Sequence, residues 1–175
     1  MDLTGRNDQK FADKWNDGPI TYLGLMANGY PNMFMIAQPG SPSIRSQVLV
    51  SMEQHVDWGF ELLEHARKVD IVEIEASREV EAAWTTHVAE VAAKSLFARA
   101  DPQYVGANIP GKPRVYLAYL GGVGVYRRTC DAVRNSGYEG FHLKTEKDDV
   151  TGRKEWSGAG EAPLVWDTAV QSHFW

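Results

Sequence analysis

The chain has 175 residues, of which 43% are hydrophobic, and this is enough for one domain with an apolar core. Its 23 acidic and 18 basic residues give a net charge of -5, which provides no general attraction for nucleic acids or anionic membranes. The only cysteine, Cys130, excludes an internal disulfide and any multi-cysteine metal site, and we expect it to be buried. Without an apolar run of about 18 residues or a secretory leader, the sequence predicts a cytoplasmic protein with no membrane span.

The first forty residues predict short elements separated by turns. Met1–Gly5 has the composition of a strand, and Phe11–Trp15 that of a helical turn. Two short apolar runs, Tyr22–Met26 and Met33–Ile36, are bounded by glycine and proline, which favours buried strands over helices.

A long helix is predicted from about Ser46 to Lys68, after the proline-rich loop Pro39–Ser43. Apolar side chains recur along one face of this helix, at Val48, Met52, Val56, Gly59 and Leu63. A helix N-terminus offers unpaired N–H groups and a positive dipole end, so the loop and the helix start could bind an electron-rich group. An ordinary capped helix explains the same pattern, and both interpretations stay open.

Next along the chain come a strand and a second helix. The strand is predicted over Val69–Glu75, with Val69, Ile71 and Ile74 facing inward. Ser77 is placed to cap a helix from Arg78 to about Phe97. The helix is expected to bury Trp84, Val88, Val91 and Phe97, and to leave Glu79, Glu81 and Glu90 in solvent.

The last part of the chain begins with a loop rich in glycine and proline, Asp101–Pro113. A strand over Arg114–Leu120, a helix over Val123–Arg134 and a strand over Tyr138–Leu143 are predicted to follow. Lys144–Trp175 lacks periodicity and is expected to form a flexible or docking tail. The domain boundaries expected from these patterns are 1–143 and 144–175.

The glycine spacing argues against a dinucleotide-binding site, and the histidine spacing argues against a metal site. Gly122 and Gly124 would place the third glycine of a dinucleotide fingerprint at Arg127, so a structural turn explains Gly121–Gly124 better. The five histidines are scattered without metal-ligand spacing, and His55 is expected to be a satisfied, partly buried residue.

Several co-linear motifs carry a family resemblance that extends from Leu3 to Phe141. They are Gly18-Pro19 with Tyr22-Leu23-Gly24, Tyr30-Pro31-Asn32-Met33-Phe34-Met35, Pro39-Gly40-Ser41-Pro42-Ser43, Glu53-Gln54-His55-Val56-Asp57-Trp58, Gly106 to Arg114, and Tyr138-Glu139-Gly140-Phe141. In this order they resemble the C-terminal portion of Baeyer–Villiger flavin monooxygenases of the cyclohexanone and phenylacetone type.

The resemblance implies a fold and an activity. The fold would be α/β, the C-terminal part of a Rossmann-like FAD-binding domain with long helices on short strands, incomplete without the N-terminal FAD and NADP domains. The activity would be FAD- and NADPH-dependent insertion of an oxygen atom beside a ketone carbonyl. The family's active-site arginine and its glycine fingerprints have no counterpart in this sequence, so the chain alone is expected to be inactive.

The resemblance also implies site residues. Ser43, Ile44 and Arg45 would line the substrate pocket. The residues that would contact the cofactors are Gln47, Val48, Gln103, Tyr104, Asn108 and Lys112.

Two of these positions depart from the family, which usually has tryptophan at Gln103 and a leucine-like residue at Arg45. A non-catalytic remnant, or a module that binds and completes another chain, is the alternative function.

Overall fold

The computed structural model describes residues 2–43, 46–96, 110–111 and 113–147, together with the backbone of 156–157. After a short 3-10 turn at Arg6–Asp8, the elements follow in chain order. They are α1 (Phe11–Lys14), α2 (Val48–Lys68), β1 (Ile71–Ala76), α3 (Arg78–Ala93), α4 (Val123–Asn135), β2 (Phe141–Thr145) and β3 (Trp156–Ser157).

The helices lie close to where the sequence predicts them. The structure confirms α2, which ends at Lys68, and α4, which is one residue longer than predicted. The Ser77 side chain accepts a hydrogen bond from the backbone N of Val80, which confirms the predicted cap of α3. Helix α3 ends at Ala93, earlier than expected, and Phe97 is outside the described residues.

The prediction of strands at Tyr22–Met26 and Met33–Ile36 is wrong. Leu23 and Gly24 have positive φ values of 57° and 70°, so the chain turns back on itself and the backbone N of Tyr22 bonds the carbonyl of Met26 at 2.8 Å. Met33–Ile36 forms no strand, although the Met35 amide bonds the Leu25 carbonyl at 2.8 Å. Tyr22–Met26 is buried in the core as a turn, whereas Met33–Met35 is half-buried irregular chain and Ile36 is exposed.

The other predicted strands have mixed outcomes. Strand β1 pairs antiparallel with β2, with Ile74 opposite Leu143 and an irregularity between Ile71 and Glu73. Strand β3 pairs antiparallel with β2. The prediction of a strand at Arg114–Leu120 is wrong, because among the described residues this stretch makes only two backbone bonds to the loop before α2 and forms no ladder. The described fold is therefore a mixture of helices and a three-stranded antiparallel sheet.

The core lies between α2, α3, α4 and the sheet. Its largest fully buried side chains include Trp84, Tyr22, Tyr119, Tyr126 and Phe141. Cys130 is fully buried in this core, as the sequence predicts.

The predicted inward face of α2 is wrong except at Gly59. Val48, Met52, Val56 and Leu63 are exposed. The buried face is instead formed by Ser51, Gln54, His55, Trp58, Gly59, Leu62 and Ala66. The helix has two neighbouring apolar faces, and periodicity alone does not tell which one faces the core.

Two side-chain burials also differ from the sequence prediction. Val69, expected inward, is 47% exposed just after α2. Glu81, expected in solvent, is 2% exposed and accepts a hydrogen bond from the Lys14 ammonium at 2.9 Å and from the Asn28 amide at 2.9 Å. A buried carboxylate needs such partners, and here they tie the N-terminal segment to α3.

None of the described helices is both long enough and apolar enough to traverse a lipid bilayer.

Candidate functional site

The loop before α2 is fixed by hydrogen bonds from distant parts of the chain. The Thr21 hydroxyl donates to the carbonyl of Pro39 at 2.7 Å, and the Trp84 indole N–H donates to the carbonyl of Gly40 at 3.1 Å. The Gly40 amide donates to the Leu117 carbonyl at 2.8 Å. With its backbone groups paired in this way, the loop has little freedom to move.

Steric contacts around Gly40 tighten the same loop. Gly40 has φ of +90°, and a Cβ atom there would lie 2.8 Å from Thr21 Oγ1 and 3.0 Å from Trp84 Nε1. A Cβ atom on Gly24 would lie 2.8 Å from the Cβ of Ser41. The turn at Gly24 and the loop at Gly40–Ser41 are therefore in close contact and require glycine at both positions.

A buried histidine anchors the residues that lead into this loop. Nδ1 of His55 on α2 accepts a hydrogen bond from the Ala37 amide at 3.1 Å. The Tyr126 hydroxyl lies 2.7 Å from His55 Nε2 and donates to the carbonyl of Leu23 at 2.5 Å. The Tyr126 hydroxyl has one proton, which it donates to the Leu23 carbonyl. The hydrogen bond between Tyr126 and His55 must therefore be donated by the N–H at His55 Nε2. Burial lowers the pKa of His55 to about 4, which is consistent with this neutral form.

The start of α2 has no side-chain cap. Gln47 occupies the N-cap position without a side-chain cap hydrogen bond, and the first turn contains no acidic residue. The hydroxyls of Ser46 and Ser51 are buried and have no hydrogen-bond partner within the described part of the chain. The structure therefore does not show the side-chain cap that an ordinary capped helix would have at Gln47, and the first-turn N–H groups have no side-chain acceptor from that residue.

The structure places only some of the predicted site residues. Gln47 and Val48 are exposed at the start of α2, and Ser43 is half-buried at the end of the fixed loop. Ile44 and Arg45, which lie between them, and Gln103, Tyr104, Asn108 and Lys112 are outside the described residues.

The glycine pair before α4 forms a turn. Gly122 is the N-cap of α4 with φ of +86°, and a Cβ atom on Gly121 would lie 2.2 Å from the Tyr119 hydroxyl. Both glycines thus have structural reasons to be there. In the described ranges no three His, Cys, Asp or Glu side chains come together as a metal-binding group.

The residues that hold the site, Thr21, Trp84 and Tyr126, carry no signal of this role in the sequence. Trp84 was predicted to be buried, and a buried indole N–H needs an acceptor. The acceptor, however, lies 44 residues away, and nothing in the local pattern identifies it.

Comparison with known proteins shows which enzymes this chain is similar to. No protein-family model matches the chain. The chain is 36% identical over 150 residues to cyclohexanone 1,2-monooxygenase from Acinetobacter sp., which covers 86% of this chain and 27% of that enzyme. It is 39% identical over 144 residues to acetone monooxygenase (methyl acetate-forming) from Gordonia sp. strain TY-5. This match covers 82% of this chain and 27% of that enzyme.

The folds agree as well. Cyclohexanone monooxygenase from Rhodococcus sp. Phi1 bound to NADP+ superposes with a TM-score of 0.79 at 36% identity, covering 83% of this chain and 27% of that one. OTEMO in complex with FAD and NADP superposes with a TM-score of 0.76 at 28% identity, covering 82% of this chain and 26% of that one. The chain therefore spans about a quarter of the length of these relatives. Sequence and fold together identify it as a segment related to the Baeyer–Villiger monooxygenases.

Proposed function

We propose that the chain is the C-terminal part of the Rossmann-like FAD-binding domain of an FAD- and NADPH-dependent Baeyer–Villiger monooxygenase, which inserts an oxygen atom beside a ketone carbonyl. The observation that carries the proposal is 36% identity over 150 residues to cyclohexanone 1,2-monooxygenase, joined to a TM-score of 0.79 with a related enzyme bound to NADP+. The domain segment would be residues 1–143, and 144–175 would be a tail.

The start of α2 fits the flavin ring of FAD. Its first-turn N–H groups and positive dipole end suit the electron-rich pyrimidine edge of a reduced flavin, and neither a side-chain cap nor a first-turn carboxylate competes for them. Gln47 and Val48 would hold this edge. When bound, FAD supplies the oxygen-activating chemistry, and this chain orients the ring. The FAD phosphates need another part of the enzyme, because the sequence has no G-x-G-x-x-G fingerprint.

The fixed loop supports the proposed substrate pocket. Ser43 follows Pro39, Gly40 and Ser41. The carbonyls of these three residues accept hydrogen bonds from the Thr21 hydroxyl, the Trp84 indole and, at 3.0 Å, the Tyr119 amide. A rigid base of this kind would hold Ser43 in a constant position against a bound ketone, and Ile44 and Arg45 are proposed to line the same pocket. Gln103, Tyr104, Asn108 and Lys112 are proposed to contact NADPH.

The proposal is tested by grafting this chain into a whole enzyme. We would replace the matched residues of the Acinetobacter cyclohexanone monooxygenase by those of this chain, then measure FAD content from flavin absorbance, ketone-dependent NADPH oxidation, and the ester or lactone product. We expect bound FAD and oxygenated product. A folded chimera that takes up no FAD would contradict the proposal.

A charge change at the start of α2 tests the flavin contact separately. In the chimera, Gln47→Glu should weaken FAD binding, because a carboxylate at the helix start competes for the same dipole and N–H groups. Gln9→Glu, an equal change at another exposed glutamine, is the matched control. Equal FAD affinity in both variants would place the flavin elsewhere.

A further inference from the structure

Helix α2 carries an apolar stripe that no described part of the chain covers. Its six side chains are between 36% and 61% exposed. The stripe consists of Val48, Leu49, Met52, Val56, Phe60 and Leu63.

Helical geometry places the stripe beside the buried face. At about 100° per residue, these six positions share one side of α2, next to the side that contains Trp58 and Leu62. Charged residues occupy the remaining side, and Glu61 there pairs with Arg134. A surface helix of a complete domain normally shows one apolar face, whereas α2 has the composition of a helix enclosed between two layers.

Another exposed apolar side chain lies in the segment that is hydrogen-bonded to α2. Ile36 is 38% exposed and precedes Ala37, whose amide is bonded to His55 on α2. Contiguous apolar surface of this kind usually marks an interface.

We infer that the apolar stripe is the surface on which the rest of the monooxygenase polypeptide docks, an inference that rests on the proposed function. The relatives contain this same fold within chains of which it is only 27%, so most of each relative's polypeptide lies outside it and can supply the docking partner. The stripe begins at Val48, the residue proposed to contact the flavin. The part that binds the FAD phosphates must therefore approach α2 at this end.

A second copy of the chain is a less suitable occupant. Two copies joined stripe to stripe would cover the start of α2 and exclude the flavin from Gln47 and Val48. Such a dimer is therefore an outcome that would overturn the inference.

Cysteine labelling can report which surface is covered. Cys130 is fully buried, and burial raises the pKa of its thiol to about 12, so an introduced surface cysteine would react alone. Val56→Cys places a thiol in the stripe. Val69→Cys is the matched control, since Val69 is 47% exposed just after the C-terminal end of the helix and lies outside the stripe. The probe is a sulfonated maleimide.

The chain would be produced together with the part of the Acinetobacter cyclohexanone monooxygenase that it does not match. We expect the two polypeptides to co-purify and the labelling of Cys at position 56 to slow by at least about tenfold relative to the chain alone, because a covered thiol reacts only when the interface opens. Labelling at position 69 should change by less than about twofold.

Three results would overturn the inference: no co-purification, undiminished labelling at position 56 in the complex, or protection at position 56 in the chain alone that grows with its concentration. FAD content is read separately. A complex that protects position 56 but takes up no FAD would support the docking surface and contradict the proposed function, whereas a flavin-loaded complex with position 56 unprotected would do the reverse.

Discussion

The imidazole of His55 is neutral in the folded chain because both of its nitrogens have fixed roles. Nδ1 accepts from the Ala37 amide, and Nε2 is bonded to Tyr126. A second proton would have to go on Nδ1, where it would oppose the Ala37 N–H. The residue thus joins α2, α4 and the chain before the loop in one protonation state.

Stability should therefore fall in mild acid. The pKa of His55 is about 4 in the folded chain and 6.5 ordinarily, so the unfolded chain binds more protons between these values. The stabilisation is complete above pH 6.5 and is lost as the pH falls towards 4, by up to about 1.4 kcal/mol per pH unit. The free energy of unfolding in urea, measured at several values from pH 7 to pH 4, tests this prediction.

Burial also lowers the pKa of His87, so His55→Gln should remove only part of the fall in unfolding free energy between pH 7 and pH 4. The variant His65→Gln, on the same helix but outside the buried pair, should keep it. An identical slope in wild type and His55→Gln would contradict the assignment.

Removing one hydroxyl tests the same network. Tyr126→Phe leaves the Leu23 carbonyl and the His55 Nε2–H without their partner in the core, so we expect a loss of about 1–3 kcal/mol in unfolding free energy. Tyr116→Phe removes the same atom from a half-buried side chain and should cost less. Equal losses of unfolding free energy in Tyr126→Phe and Tyr116→Phe would show that the hydrogen bonds of Tyr126 to Leu23 and His55 add no specific stability.

Individual residues also show where sequence analysis fails. Cys130 was predicted correctly, because a small apolar residue among helical neighbours has few alternatives. Glu81 was not, because its burial depends on Lys14, 67 residues away. The partner of a buried charge is set by the tertiary fold and leaves no local signal.

At the scale of elements, the loop Pro39–Ser43 is held by backbone hydrogen bonds at Pro39, Gly40 and Ser41. Gly40→Ala should disrupt it, since the new methyl group would lie against Thr21 and Trp84. We expect a destabilisation of about 1–3 kcal/mol, measured by thermal unfolding.

Gly122→Ala separates the steric clash from backbone strain, because Gly122 has a similar φ of +86° with nothing within 4 Å of its Cβ position. If Gly40→Ala destabilised the chain no more than Gly122→Ala, the contacts with Thr21 and Trp84 would add nothing to the backbone strain.

The helices were predictable because their signals are local, such as the Ser77 cap and the sustained periodicity of α2 and α4. The short strands were not, since Tyr22–Met26 satisfies the apolar pattern of a strand but contains two residues with positive φ. The start of α2 was recognised as a candidate site from its dipole. Its supports, Thr21 and Trp84, come from elements that only folding brings together.

At the scale of the whole molecule, the chain should not bind FAD on its own. The proposed contacts at Gln47 and Val48 reach one edge of the ring, and the phosphates have no glycine fingerprint in this sequence. Titration of FAD fluorescence anisotropy with the chain should show no saturation at micromolar concentrations. Saturable one-to-one binding would require a phosphate site that the sequence does not reveal.

The contact between Gly40, Thr21 and Trp84 also bears on how sequences of this kind can diverge. Because the glycine lies against a hydroxyl and an indole from two other elements, a side chain gained at position 40 would require a smaller residue at 21 or 84. These three positions should therefore change together or not at all. Across an alignment of homologues, we expect substitutions here to be rare and paired, even where the exposed polar side of α2 varies freely.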